Sequence, residues 1–216
     1  YKLLQSHPRS NGKFGTTGHS RGGNNSLYVA DVKFTSLFLE GTRGFDAILP
    51  EAAECKLAGF FDKPELTSNT KLLYVHGAAD DYTLPNHCED YVKKIKSEPG
   101  KVEIDLKKGW YHGFHYSQKP KRYQAMTVHN CPAFFVDNDG FVVGNEWPDM
   151  VLTKHKLFPS MDAFYELAQV DPNKLWKKTF KILKKEKCLK RGVTVGGGHM
   201  DEYMPQFINF FKENLL

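Results

Sequence analysis

The 216-residue sequence lacks long apolar runs, repeats and closely spaced cysteines. No stretch approaches the 18 apolar residues that a membrane-spanning helix needs, so we expect no membrane span. The four cysteines, Cys55, Cys88, Cys131 and Cys188, are scattered without a C-x-x-C pair, which argues against a zinc site of thiolates. This spacing is compatible with one or two disulfides, but it does not say which cysteines pair. No metal site is expected.

The composition is that of a globular domain with an appendage, because 40% of the residues are hydrophobic and 25% are charged. The net charge is +5, and its excess lies between Lys174 and Arg191. Trp176, Phe180 and Leu183 recur there at helical spacing, which predicts an amphipathic helix with a solvated basic face. We therefore expect no nucleic-acid partner.

The segment TTGHSRGGNN, residues 16–25, contains the pattern G-x-S-x-G with Ser20 at its centre. A strand over Lys13 to Thr17 and a helix over Gly22 to Ala30 are predicted on either side of it. In this context the pattern is typical of a nucleophile elbow, in which small neighbours allow a serine to sit on a sharp strand-to-helix turn. The backbone N–H of Arg21 would then be one donor of an oxyanion hole.

An acid is expected after the next buried strand. The apolar run from Leu72 to Val75 predicts that strand, and Asp80 and Asp81 follow it in a loop. Catalytic groups of parallel sheets lie at such carboxyl ends. Asp80 is the favoured acid and Asp81 the substitute, since an aspartate here also serves as a turn former or a helix cap. His76 ends the strand and is expected to line the site.

Two histidines are candidates for the base. Alternating apolar residues over 102–106 predict a strand near the sheet edge, and His112 follows it, 32 residues after Asp80. His199 also follows a short strand and a glycine loop, directly before a helix at the end of the sequence. The chain order of nucleophile, acid and base favours His112, with His199 as the alternative.

Residues from about Leu3 to Phe114 resemble the serine-nucleophile branch of the dienelactone-hydrolase family of α/β hydrolases. The resemblance rests on the segments HPRSNGKFGTTGHSRGG, LLYVHGAADDYTLPNHCEDYV and KKGWYHGFHY. It implies an α/β-hydrolase fold, a mostly parallel sheet flanked by helices, with Ser20 as nucleophile, Asp80 as acid and His112 as base. True dienelactone hydrolases carry cysteine in the elbow, so a serine at this position points to a general carboxylesterase.

The function implied is hydrolysis of a small carboxylic ester through an acyl-enzyme, without a cofactor. Arg21, His19, Trp110 and Tyr111 are the residues expected around the oxyanion and the substrate. Two other functions keep the same residues: a serine peptidase of this fold, and an inactive α/β-hydrolase-like binding module. A cytoplasmic and a secreted location both fit the sequence.

The expected domains are residues 1–129, the carboxy-terminal half of a hydrolase core, and residues 130–216, a hairpin with a helical extension packed on that core. The strand between the elbow and the acid loop is expected at Cys55 to Asp62. The segment Phe34 to Pro50 is expected either to form part of a lid or substrate wall or to pack in the core, and both interpretations fit equally well. The hairpin turn is expected at Asn138-Asp139-Gly140.

Few residues precede the predicted elbow strand, whereas the α/β-hydrolase fold lays down several strands before its nucleophile. We expect the core to lack its N-terminal strands, so the elbow strand would have an unpaired edge. An N-terminal segment of a longer protein, or a second copy of the chain in a homodimer, would cover that edge.

Overall fold

The computed structural model describes residues 1–216, which divide into two compact units. The first unit comprises residues 1–55, 63–124 and 193–216, and the second comprises residues 56–62 and 125–192. The division expected at residue 129 differs from this, because the end of the chain returns to the first unit.

Eight strands and eight α-helices follow one another along the chain, with one π-helical segment, Asp149–Lys154, after α5. In chain order they are α1 (Lys2–Gln5), β1 (Gly15–His19), α2 (Arg21–Ala30), α3 (Val32–Phe38), β2 (Ala47–Glu51), β3 (Phe60–Phe61), β4 (Lys71–Gly77), α4 (Pro85–Lys93), β5 (Val102–Lys107), β6 (Lys121–Thr127), β7 (Phe135–Val136), α5 (Glu146–Pro148), α6 (Met161–Val170), α7 (Pro172–Lys185), β8 (Lys190–Val195) and α8 (Met200–Leu215). None of these helices is both long and apolar enough to cross a membrane.

The first unit is built on a four-stranded sheet in the order β1-β2-β4-β5, with every neighbouring pair parallel. The central strands β2 and β4 are almost wholly buried, as their apolar sequences require. Strands β1 and β5 are the edges, so the prediction that β5 lies at the edge is confirmed. Helices α2, α4 and α8 pack against this sheet. The class is α/β, with a parallel sheet flanked by helices.

The position of the second strand corrects the sequence prediction. The strand between the elbow and the acid loop is β2, at residues 47–51, and not the segment from Cys55 to Asp62, where only Phe60 and Phe61 form a short strand of the second unit. The misplacement has a physical cause. Pro50 has no N–H to donate to a ladder and argues against a central strand, yet it is accommodated opposite Gly18.

The segment Phe34 to Pro50, for which a lid and core packing were both open, holds α3 and β2. Leu49 is fully buried in the core, while Phe38 is exposed on α3. The core on this side of the sheet joins alanine, leucine and valine side chains of β2 and β4 to aromatic side chains of the base loop and α8. Its buried members are Ala47, Leu49, Ala52, Leu73, Val75, Trp110, Phe114, Tyr203 and Phe210.

The second unit has a core of its own, formed by α5, the π-helical segment, α6 and α7 around Trp147 and Leu183. Two of its helices have side-chain caps: Ser160 caps α6 by accepting from the Ala163 N–H, and Asp171 caps α7 by accepting from the Lys174 N–H. Leu183 on α7 is fully buried, whereas Trp176 is 52% exposed, so the apolar stripe of this basic helix is rotated from the predicted one.

Each unit contains one disulfide, Cys55–Cys88 in the first and Cys131–Cys188 in the second. Cys55 follows β2 and Cys88 lies in α4, so the first bond ties the carboxyl end of β2 to the helix that follows the acid loop. The bond closes a stretch of chain with a sequence separation of 33 residues. It therefore restricts the unfolded chain while holding two sides of the first unit together.

Replacing Cys55 and Cys88 with serine should lower the free energy of unfolding by about 2–4 kcal/mol, because the unfolded chain regains the freedom that the cross-link removed. Urea unfolding followed by circular dichroism measures the change. The same double replacement at Cys131 and Cys188 is the matched control, and it should weaken the second unit instead. A transition of the Cys55/Cys88 variant that coincides with that of the oxidised protein would contradict this role.

Candidate active site

Ser20 lies on a sharp turn between β1 and α2. Its backbone has φ 58° and ψ −116°, a left-handed conformation that costs a non-glycine residue about 1–3 kcal/mol. Two hydrogen bonds hold it there: the Ser20 N–H donates to the Glu51 carbonyl at 2.9 Å, and the Asn24 N–H donates to the Ser20 carbonyl at 3.0 Å. The strand-turn-helix expected around Ser20 is therefore present, with a strained backbone at the serine itself.

The glycines of the elbow differ in why they are needed. A Cβ on Gly18 would lie 2.4 Å from the backbone carbonyl carbon of Gly22, and one on Gly23 would lie 2.5 Å from the Glu51 carbonyl oxygen. A Cβ on Gly22 would meet no atom within 4 Å. The close approach of strand and helix thus demands small residues at 18 and 23, whereas the space at Gly22 is open.

Asp80 follows β4 and is buried beneath the surface. Its Oδ1 accepts the backbone N–H groups of Tyr82 at 2.8 Å and Thr83 at 2.9 Å. Its Oδ2 lies 2.8 Å from Nδ1 of His112 and 3.0 Å from Nε2 of His76, and it accepts the Thr83 hydroxyl at 3.0 Å. Both oxygens of this buried carboxylate are fully engaged by donors.

The surroundings of Asp80 keep it ionised. Burial alone raises the pKa of a carboxyl group, but the hydrogen bonds from His112 and His76 outweigh burial and hold the pKa of Asp80 well below its ordinary value. An ionised Asp80 accepts the Nδ1 proton of His112. The lone pair of the His112 ring is therefore left on Nε2, where a general base needs it.

His76 was expected to line the site. It is instead fully buried and lies behind Asp80. The hydroxyl of Tyr74 is hydrogen-bonded to its Nδ1, and its Nε2 lies 2.9 Å from the Thr83 carbonyl as well as near Asp80. Burial, followed by the charge of Asp80, raises the pKa of Tyr74 well above its ordinary value, so this hydroxyl keeps its proton and donates. Nε2 of His76 then donates towards the carboxylate.

The loop that carries His112 is clamped by the glycine segment before α8. Four backbone N–H groups of residues 196–199 donate to carbonyls of residues 112–118, and β8 forms a parallel bridge between Val195 and His112. A Cβ on Gly197 would lie 2.6 Å from the Cα of Phe114, so the two segments approach as closely as glycine permits. The carboxyl end of the chain thus contributes to the site by positioning the base loop.

The substitutes considered for the acid and the base have other partners. Asp81 accepts from Arg122 at 2.8 Å and from the hydroxyl of Thr194 at 3.1 Å. The ring of His199 stacks on Trp110 with centroids 4.6 Å apart. The structure therefore brings Asp80 and His112 together, and it brings neither Asp81 nor His199 into that pair.

Of the four residues expected around the oxyanion and the substrate, three lie at the surface or next to His112 and one lies in the core. Arg21 is the first residue of α2, so its backbone N–H has no acceptor within the helix and is available to an oxyanion. His19 contacts the base loop, with its ring 4.5 Å from that of His112. Trp110 is 3% exposed and belongs to the core, so it does not form the rim expected of it, whereas Tyr111 is partly exposed. No local sequence pattern indicated that the indole of Trp110 would be buried.

Ser20 and His112 lie on neighbouring segments without a direct hydrogen bond between their side chains. Ser20 contributes only its backbone groups to hydrogen bonds, and the His112 ring is bonded through Nδ1. The adjacent residues make the connection, because the Gly113 N–H donates to Nε2 of His19 at 3.1 Å. Serine-to-base contacts of this kind often tighten only when substrate is bound.

No family model and no curated protein matches this sequence. Among solved structures, the chain is similar to MGS-M1, an α/β hydrolase enzyme from a Medee basin deep-sea metagenome library, with 20% identity over 49% of this chain and 42% of that one and a TM-score of 0.35. It is also similar to esterase PE8, with 22% identity over 46% of this chain and 42% of that one and a TM-score of 0.32. The matched region is thus less than half the length of either protein.

The first unit itself has the layout of an α/β-hydrolase core. Its parallel sheet carries Ser20 between β1 and α2, Asp80 after β4 and His112 after β5, all at the carboxyl ends of the strands. The order of serine, aspartate and histidine along the chain is the order this fold uses.

Gly18→Ala should destabilise the protein by roughly 1–3 kcal/mol, because the added methyl overlaps the backbone of Gly22. Gly22→Ala is the matched control: its methyl meets open space, and the helix gains up to about 1 kcal/mol from the better helix former. Denaturant unfolding of both variants measures the difference. Equal stability of the two would contradict the close packing described for the elbow.

Asp80→Asn should make the stability of the protein less dependent on pH in the acidic range. Because the pKa of Asp80 is lowered in the folded protein, its ionisation adds stability at a pH above its ordinary value of about 4, and that stability is lost as the pH falls further. Unfolding midpoints between pH 2 and pH 7 measure the slope. The variant should be less stable near neutrality and less sensitive to acid than the wild type. A wild-type slope in Asp80→Asn would contradict the assignment.

Proposed function

We propose that this protein is a serine hydrolase that cleaves carboxylic esters, with Ser20 as nucleophile, His112 as base and Asp80 as the orienting acid. The observation that carries the proposal is the buried contact of 2.8 Å between Asp80 Oδ2 and His112 Nδ1, next to a strained serine on an elbow. Burying a carboxylate–imidazole pair costs free energy, and titratable groups in such surroundings cluster at functional sites. The pair therefore favours a catalytic role for the imidazole.

The first half of the reaction forms the acyl-enzyme. His112 Nε2 accepts the proton of the Ser20 hydroxyl as Oγ attacks the ester carbonyl carbon. The carbonyl oxygen becomes an oxyanion, and the Arg21 N–H at the positive end of α2 donates to it. His112 then returns its proton to the oxygen of the departing alcohol, and the C–O bond breaks to leave the acyl group on Ser20.

The second half repeats these steps with water. His112 Nε2 accepts a proton from a water molecule, whose oxygen attacks the acyl carbon, and the proton is returned to Ser20 Oγ as the acid is released. In both halves the imidazole becomes positively charged for a moment. Asp80, held ionised by its donors, stabilises that charge and keeps Nδ1 protonated.

The specificity proposed is that of a general carboxylesterase. The segments around Ser20, Asp80 and His112 resemble the serine-nucleophile branch of the dienelactone-hydrolase family, whose serine members act on simple esters rather than dienelactones. Residues of the elbow and the Arg21 amide would meet a small ester, and no step of this mechanism calls for a cofactor.

β1 is an edge strand of the described sheet, and a second copy of this chain or a preceding segment would cover its open side.

We further propose that this protein works in an oxidising compartment. Each disulfide joins two cysteines of the same unit, one disulfide in each unit, and no cysteine is left free. Disulfides of this structural kind persist outside the reducing cytosol. Of the two locations that the sequence allows, the secreted one is therefore favoured.

A fluorophosphonate probe, which traps activated serines covalently, tests the proposal. The wild-type protein should be labelled at Ser20, and Ser20→Ala should abolish labelling. His112→Gln and Asp80→Asn should slow hydrolysis of p-nitrophenyl esters by about 10³–10⁴-fold, because the base or its orientation is lost. Mass spectrometry of the labelled peptide and initial rates measure the two effects.

The matched controls for these variants are His199→Gln and Asp81→Asn, which should leave ester hydrolysis close to wild type. Larger losses in the controls than in His112→Gln and Asp80→Asn would reassign the base or the acid. Absence of labelling at Ser20 would favour an inactive binding module. Faster turnover of peptide amides than of esters would make the protein a peptidase.

A further inference from the structure

His19, which precedes the proposed nucleophile, is joined directly to the loop of the proposed base. It ends β1, and its Nε2 accepts the backbone N–H of Gly113 at 3.1 Å. Gly113 in turn follows His112. One hydrogen bond therefore links the neighbour of the serine to the neighbour of the base. We propose that His19 is a positioning residue that ties the base loop to the nucleophile elbow, an inference that rests on the proposed function.

The surroundings of His19 keep its ring neutral, as an acceptor at Nε2 must be. Burial, and then the neighbouring rings of His112 and His115, lower the pKa of His19 to about 3, while Asp80 opposes the shift and His76 adds to it. A ring that accepts at Nε2 carries its proton on Nδ1. The bond to Gly113 therefore persists over the whole pH range in which esterases work.

His115 packs against the ring of His19 and lies near the buried Glu51. Nδ1 of His115 lies 3.2 Å from Oε2 of the buried Glu51, and the rings of His115 and His19 meet edge to face with centroids 4.7 Å apart. The other oxygen of Glu51 accepts from the Thr17 hydroxyl at 3.1 Å. Glu51 and His115 thus lie in contact next to the ring of His19, although His115 Nδ1 makes no hydrogen bond.

Glu51 also reaches the nucleophile through its backbone. Its carbonyl accepts the Ser20 N–H at 2.9 Å, and Glu51 is the register partner of His19 in the β1–β2 pair. The elbow, the ring of His19 and the base loop are therefore fixed to one another through a single strand end. The Glu51 carbonyl thereby takes part in holding the elbow.

The spacing between Ser20 Oγ and His112 Nε2 is what this tether controls. A misplacement of about 1 Å of a catalytic group can cost about 10²-fold in rate. No other hydrogen bond of the described side chains links the elbow to residues 112 and 113. Loss of the His19 acceptor should therefore lower kcat and leave KM unchanged, since His19 positions the base rather than the substrate.

Two substitutions separate the hydrogen bond from the ring. His19→Gln places an acceptor near the position of Nε2, and His19→Phe keeps a planar ring without an acceptor. His19→Phe should lower kcat for a p-nitrophenyl ester and the rate of fluorophosphonate labelling at Ser20 by about 10–100-fold at constant KM. His19→Gln should restore both to within about fivefold of wild type.

Hydrogen exchange of residues 110–118 tests the tether even without catalysis. Mass spectrometry should show faster exchange of this loop in His19→Phe than in wild type or His19→Gln, because the Gly113 N–H loses its acceptor. If the wild type is not labelled at Ser20, the proposed function fails, while this exchange still reports on the tether. The two failures are therefore distinguishable.

The pH dependence of stability gives a third readout. A histidine whose pKa is lowered from 6.5 to about 3 on folding favours the folded state above pH 6.5, and that contribution is lost as the pH falls towards 3. Between these values the unfolding midpoint of wild type should fall more steeply than that of His19→Gln. Glu51, Asp80, His76, His112 and His115 are common to both proteins, so the difference belongs to His19.

Three results would overturn the inference. The first is wild-type kcat and wild-type exchange in His19→Phe, which would show that the bond to Gly113 holds nothing. The second is failure of His19→Gln to improve on His19→Phe, which would assign the effect to the ring rather than the acceptor. The third is a raised KM at unchanged kcat, which would place His19 against the substrate.

Discussion

The buried carboxylate of Asp80 is the constraint on which the rest of the site depends. Five hydrogen bonds converge on it, two from backbone N–H groups and three from the side chains of His76, Thr83 and His112. A charge placed in the protein interior is costly unless every lone pair is engaged, and here the engaging groups also set the tautomer of His112. The same bonds that stabilise the fold thus prepare the proposed base for proton transfer.

The base is held from two further directions. On one side the glycine segment 196–198 forms a backbone ladder with residues 112–118, at a distance that leaves no room for a Cβ at Gly197. On the other side the elbow reaches the base loop through His19 and Gly113. Three chain segments that are far apart in sequence therefore fix one imidazole. Such support is what a catalytic constellation requires, because its geometry tolerates only small errors.

The sequence indicated which side chains to consider for the site better than it indicated what supports them. Ser20, Asp80 and His112 could be singled out because each follows a strand at a turn, and the structure places Asp80 and His112 in contact. Strand β2 was missed because Pro50 contradicts its pattern, although a glycine opposite makes room for it. The roles of His76, Thr83 and the residue 196–198 glycines depend on contacts across the fold, which no local spacing reveals. Trp110 was misjudged because an aromatic residue beside a catalytic loop fits a rim and a core equally well.

The tautomer and charge of His112 test the central claim most directly. Nitrogen-15 NMR of the histidine side chains, with His112→Gln to assign the signal, reports which ring nitrogen carries the proton at neutral pH. Our account predicts that the Nδ1 of His112 carries a proton in a hydrogen bond to an ionised Asp80, and that Nε2 is bare when it accepts from Ser20. A proton on Nε2 with a bare Nδ1 would contradict it, because His112 could then neither use Asp80 nor accept a proton from Ser20.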